Sequence, residues 1–179
     1  YPARLISLGF AMLIFIGSIL LILPCSVQKG AMLSYIDSLY TATSAVCVTG
    51  LIAVDAGDTF TPLGQVFLAM LIQIGGLGVT SVGAGIIIAM GKLICAASNL
   101  NSGKGVIRFI KNVLITTFTI EIVGAVLSFC VFARDYPLLK AFGISFFHSI
   151  AAFNNSGFDI FGGYKNLIPY QEDILLNMI

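Results

Sequence analysis

Two short stretches of this 179-residue chain carry backbone chemistry of interest, Val48-Thr49-Gly50 and Asn155-Ser156-Gly157, and their glycines lie 107 residues apart. Glycine accepts backbone geometry that other residues resist, so a loop ending on it can turn its carbonyls to one side. Such carbonyls can replace the water of a bare cation, whose transfer into low dielectric otherwise costs on the order of tens of kcal/mol. The ionisable candidates are fewer. Glu121 stands mid-way along an apolar run, where a carboxylate is expensive and points to function by default. A brace to a neighbouring helix or loop is favoured over an ion-binding ring, because its counterpart 107 residues earlier, Ile14, carries no charge. His148 reads as a structural or capping group. Glu121, His148 and Asp159 are the groups a membrane-embedded enzyme would use for acid–base work, but they fall in a long helix, a short helix and a loop, with no nucleophile motif. Cys25, Cys47, Cys95 and Cys130 show no CxxC spacing and read as small apolar fillers. No catalytic residue, cofactor or resident metal is expected.

The composition says what must position these loops. The chain is 58% hydrophobic and 9% charged, with a mean hydropathy of +1.03, against roughly 45–50% apolar and about 25% charged in soluble domains. It reads as a membrane protein in a lipid bilayer. A net charge of +1, one His and no basic block exclude a nucleic-acid binder.

Leu5–Leu23 predicts a span of about 28 Å, closed by Pro24 and too long for a signal-peptide core. Residues 34–46 carry Asp37 and are too short to cross, so they predict a short helix that enters and turns back into a loop at 46–51. Pro62 opens a second span over 62–94, too long for one straight crossing; tilt, a kink or a break must take up the excess, and Gly75-Gly76-Leu77-Gly78 supplies the weak point. Gly83 and Gly85 read as close-packing positions. Residues 98–105 form a polar linker. The pattern then repeats: a span at 106–133, a polar turn at 134–140, a short helix at 142–153, a loop at 153–158, and an apolar stretch opened by Pro169 at 169–179.

A shift of 107 aligns Gly17 with Gly124, Ala45 with Ala152, Gly50 with Gly157 and Pro62 with Pro169, without a gap. The expected fold is therefore an all-α membrane protein of tandem span, re-entrant pore loop and span repeats, potassium-channel-like, with a first repeat at 1–97 and a truncated second at 106–179. Arg4, Lys92, Lys104, Arg108 and Lys111 lie on one side without an acidic residue, so that side and the linker are expected in the cytoplasm and the loops outside. The outer side holds four basic against seven acidic residues, about −3, a field that would enrich cations. A carbonyl filter takes several loops and only two are present, which predicts a partial chain.

Asp37 to Leu51 resembles the first pore loop of the Trk/Ktr/HKT superfamily of potassium uptake proteins, most like the bacterial Ktr/Trk membrane subunit. Phe147 to Phe158 resembles the second, and Leu71 to Gly78 the glycine-containing helix of the family's first repeat. The resemblance implies a selectivity filter formed by Val46, Cys47, Val48, Thr49 and Gly50 with Phe153, Asn154, Asn155, Ser156 and Gly157. Potassium would be the transported ligand, held by the carbonyls of Val48, Thr49, Asn155 and Ser156. Asn154 and Asn155 side chains would brace the loop, because the aligned Cys47 and Val48 cannot coordinate through theirs. Gly75, Gly76, Gly78 and Glu121 become structural or gating candidates. A homodimer and a cytosolic nucleotide-binding regulatory subunit are implied partners, and the cytoplasmic membrane the location. In plant relatives Ser at the first-loop glycine accompanies sodium transport, so Gly at both loops favours potassium over a sodium conduit of the same superfamily. An aquaporin-like channel would need Asn-Pro-Ala turns, which neither loop has. Against the family, the stretch around residues 95–98 is short and poor in basic residues, as if residues were missing there.

Overall fold

The computed structural model of the chain describes the backbone of residues 2–95 and 103–177, and the side chains of residues 4, 7–78 and 111–177. Its helices are α1 (Pro2–Ile22), α2 (Tyr35–Val46), α3 (Ala56–Thr59), α4 (Pro62–Cys95), α5 (Gly103–Phe132), α6 (Leu138–Phe153) and α7 (Ile174–Asn177), with a 3₁₀ turn at Ile168–Tyr170. Among the described residues there is no strand beyond a single antiparallel bridge, Val27 to Phe60.

Apolar and small residues are distributed inside out relative to a water-soluble bundle. Met12, Phe15, Ile16 and Ile19 of α1 and Ile115, Phe118, Ile122 and Val126 of α5 face outward, while Ser18, Ser38, Thr41, Ala42, Ala45, Ser145 and Ser149 are buried. Small residues let helices approach closely where burial against lipid gives no hydrophobic gain, and their hydroxyls tie helices together. Ser38 Oγ donates to the Ser18 carbonyl at 2.6 Å, joining α2 to α1. Ser149 Oγ donates to the Glu121 carbonyl at 2.7 Å, joining α6 to α5. Within α5, Lys111–Phe132 is 22 residues of apolar helix, long enough to cross a membrane.

Local chemistry sets the helix starts. Ser34 and Asp37 form a reciprocal capping box at α2, each side chain accepting the other's backbone N–H at 3.2 Å. Thr61 caps α4 by accepting from Gly64 N at 3.2 Å, with Pro62 in the first turn.

Three element boundaries depart from the sequence expectation. The second short helix begins at Leu138 and not at 142, because Pro137 at φ −55° is already set for a helix start, which confines the polar turn to the residues before it. Helix α5 takes in 103–105, the last residues assigned to the linker; the short stretch at 95–98 lies mostly outside the described residues. Pro169 does not open a long helix. It sits in the 3₁₀ turn, and the next helix starts at Ile174, where Asp173 Oδ1 accepts from Leu176 N at 3.1 Å. That cap matches Thr61 with Gly64, so the return from the second loop is five residues longer than the first and the offset of 107 ends within it.

Helix α4 runs through Gly75–Gly78 as one continuous helix, without a break there. These glycines form a seam. A Cβ at Gly75 would overlap the Val46 carbonyl, one at Gly76 the Asn154 side chain, and one at Gly78 would lie 3.0 Å from the Phe10 ring. Cys25, Cys47 and Cys130, read as small apolar fillers, are free and exposed, and the Cys95 side chain lies outside the described residues.

Gly75→Ala must push α4 off the backbone of α2 and is expected to destabilise by about 2 kcal/mol or more. Gly143→Ala, with nothing within 4 Å, is expected to be neutral or stabilising by up to about 1 kcal/mol. Melting curves of the detergent-solubilised protein compare the two.

Candidate functional site

Helices α2 and α6 end in the same way. Cys47 and Asn154 are the C-caps, both at φ −83° and ψ −2°. Val48 and Asn155 follow at φ 54°, and Gly50 and Gly157 at φ 72° and 70°. Val48 N donates to Ala45 O at 3.2 Å and Thr49 N to Ser44 O at 3.0 Å; Asn155 N donates to Ala152 O at 3.0 Å and Ser156 N to Ala151 O at 2.9 Å. This is the Schellman closure, which satisfies the last helical carbonyls when the residue after the cap turns left-handed. Glycine usually takes that position. Asn tolerates it, whereas β-branched Val48 is strained there, at an expense of about 1–2 kcal/mol.

The two loops meet through their backbones. A Cβ built on Gly50 falls 2.6 Å from the Ser156 carbonyl oxygen and 3.2 Å from Gly157 Cα; one on Gly157 falls 3.3 Å from Gly50 Cα. Glycine suits both positions: a Cβ would clash at Gly50 and be tight at Gly157, and the positive φ strains other residues. The structure thus brings Val48, Thr49 and Gly50 beside Asn155, Ser156 and Gly157, with Val46 and Phe153 as the last helical residues before each turn.

The side chains that hold the loops differ. Thr49 Oγ1 donates to Ser44 Oγ at 3.1 Å. In the second loop Ser156 Oγ is buried without a partner, and Asn154 Nδ2 donates to Gln73 Oε1 of α4 at 3.0 Å and to the Ile150 carbonyl at 2.9 Å. Asn155 is exposed and makes no side-chain hydrogen bond among the described residues. Glu121 is 3% exposed and adjoins Gln73 and Asn154. His148 lies within α6, not at its start, edge-on to the Phe132 ring at 5.7 Å. No group of three His, Cys, Asp or Glu able to hold a metal occurs among the described residues.

The sequence reading missed the outer tie. Asp55 is 7% exposed and accepts from Gly57 N at 2.8 Å, Asp58 N at 3.1 Å and, across the two return segments, Tyr164 N at 2.6 Å. Asp58 accepts from Gly163 N at 2.8 Å. These carboxylates, counted by sign alone in the sequence, bond the two loops' return segments together. Asp135 likewise accepts from Tyr170 Oη at 2.9 Å, and Asp173 pairs with Arg134 at 3.6 Å. The only advance signal was an Asp ahead of a small-residue turn.

Burial pushes the Asp159 carboxyl up; its bond from Phe161 N opposes this, and the Asp55 carboxylate adds to the rise. A folded value above the unfolded one disfavours the ionised form, so this contribution to stability is fully present below the unfolded carboxylate range and is lost as pH rises through the folded value. Asp159→Asn is expected to raise the melting temperature at pH 7 and leave it nearly unchanged at pH 4. Asp55→Ala, which strips an acceptor from three backbone N–H groups, is expected to destabilise by about 2–4 kcal/mol at pH 7 in the same assay.

The chain matches the TrkH family, described as cation transport protein, over residues 10–179. It is 37% identical over 186 residues to Ktr system potassium uptake protein B of Bacillus subtilis, covering 99% of this chain and 41% of the relative. Ktr system potassium uptake protein D of the same organism is 36% identical over 187 residues, with the same coverage. Potassium/sodium uptake protein NtpJ of Enterococcus hirae is 35% identical over 186 residues, again covering 99% and 41%. The chain spans about two fifths of the length of these relatives. It is an all-α, multi-pass membrane chain and belongs to the TrkH family of the Trk/Ktr superfamily.

Proposed function

We propose that the protein moves potassium across the cytoplasmic membrane through a carbonyl-lined filter, of which Val46–Gly50 and Phe153–Gly157 are two parts. The observation that carries this reading is the duplicated loop: two short helices end in one left-handed closure and their glycines meet backbone to backbone. Positive φ at every second residue, 48 and 50 or 155 and 157, turns alternate peptide planes over, so that successive carbonyls can face one side instead of alternating. The carbonyls of Val48, Thr49, Asn155 and Ser156 then stand in for the ion's water. Irregular backbone at membrane depth is tolerable in a protein-lined cavity of this kind.

The names of the Bacillus relatives, potassium uptake proteins, support the same ion. The Enterococcus relative is named for both potassium and sodium, which keeps a sodium conduit as the second reading; glycine at both loops favours potassium. The tandem arrangement of span, re-entrant loop and span, with the loops opening outward and the linker in the cytoplasm, follows the backbone likeness at offset 107 and the placement of basic residues. By resemblance, the full-length subunit dimerises and works with a cytosolic nucleotide-binding regulatory subunit, and the Ktr relatives are named as parts of a system. Transport needs no catalytic residue, and Glu121 and Asp159 lie on separate elements.

Gly50→Ser introduces a Cβ against Ser156 O and strains a φ of 72°. In the full-length protein, expressed in a strain lacking its own potassium uptake, it is expected to let sodium compete with potassium. Unchanged discrimination in a variant that reaches the membrane would remove the filter role.

A further inference from the structure

Two loops with one backbone are held by different side chains, and the second depends on a node outside its own helix. Asn154, the C-cap of α6, donates both to the helix's own Ile150 carbonyl and to Gln73 of α4. Gly76, one turn on from Gln73 and on the same face, leaves the space that the Asn154 amide fills. Glu121 of α5 closes the third side, adjoining both amides. Its Oε1, an acceptor, and Gln73 Nε2, a donor, are both buried and neither makes a hydrogen bond within 3.5 Å, so each is the kind of partner the other lacks. Ser149 pins α6 to the Glu121 carbonyl close by. At the corresponding positions of the first loop stand Cys47 and Ile14, which cannot build such a node.

We infer that Glu121, Gln73 and Asn154 form one buried brace that sets the position of the 154–157 loop, with Glu121 a positioning residue and not an ion ligand. This rests on the filter reading of that loop. The node draws one residue from each of three helices, and α4 precedes the span that carries Glu121, so the second loop is held from the first half of the chain. A buried polar group left unpaired is costly, so removing any one member releases the other two from their geometry. The three therefore act as a unit, and the effect of removing a second member after the first is small. The first loop, held by Thr49 and Ser44, stays in place, so discrimination falls while transport persists.

The test uses the full-length protein in a potassium-uptake-deficient strain, with membrane abundance measured for every variant. Gln73→Met and Glu121→Leu are each expected to make sodium compete about fivefold better against potassium, and the double variant no more than either alone. Glu121→Gln, which keeps the shape and an acceptor oxygen, is expected to retain most of the discrimination. Single variants that reach the membrane and discriminate as before, or effects that multiply in the double variant, overturn the brace. If Glu121→Leu fails to accumulate, Gln73→Met and Asn154→Leu read the same node from the other two helices. Gly157→Ser separates the two ideas. Altered discrimination there with none in the node variants overturns the brace alone, and no change in either set overturns the filter reading with it.

Discussion

The contact on which the rest of the structure depends is the approach of two chain segments at Gly50 and Gly157, made between backbones with no side chain between them. A Cβ would overlap the Ser156 carbonyl at Gly50 and crowd Gly50 at Gly157, and both glycines take a positive φ. The helices that lead into them must therefore end at matched heights and in one conformation. The Schellman closures after Val46 and Phe153 do this by satisfying the last carbonyls of α2 and α6 without continuing either helix. Helix α4 has to reach both closures at once, and consecutive glycines, one against Val46 and the next against Asn154, are how it fits between them.

The same backbone admits different supports. Thr49 and Ser44 hold the first loop from within its own helix and turn. The second loop leans on α4 through Gln73, with Glu121 of α5 beside it. Backbone geometry follows from hydrogen bonds every residue can make, so it survives when the side chains around it differ. The strain is unequal as well: Asn155 occupies the left-handed position at little expense, whereas Val48 does not, and its neighbours' hydrogen bonds must hold it there.

Acidic residues outside the spans act first at short range. Asp37 caps α2, Asp173 caps α7, and Asp55 with Asp58 binds the amides of the other return segment. A carboxylate accepting several backbone N–H bonds is fixed in place by strong, charge-assisted hydrogen bonds.

Much of this was legible in the sequence because it is local. Apolar run length gives the spans, Ser34 three residues before Asp37 gives the start of α2, and a glycine after a hydroxyl residue gives each loop end. The likeness of the chain to its family rests on the same short motifs. Other features were not legible because they depend on partners far along the chain. Gln73 and Asn154 are 81 residues apart, and Asp55 and Tyr164 are 109 apart, so no window of sequence contains either bond. The glycines of α4 looked like a weak point because glycine lowers helix propensity; only the packed neighbours decided that they form a seam. The sequence alone determined which segments are apolar, which turn, and where glycine is needed. Tertiary structure decided what each turn touches, because a hydrogen bond or a close backbone approach exists only once two distant segments have been brought together.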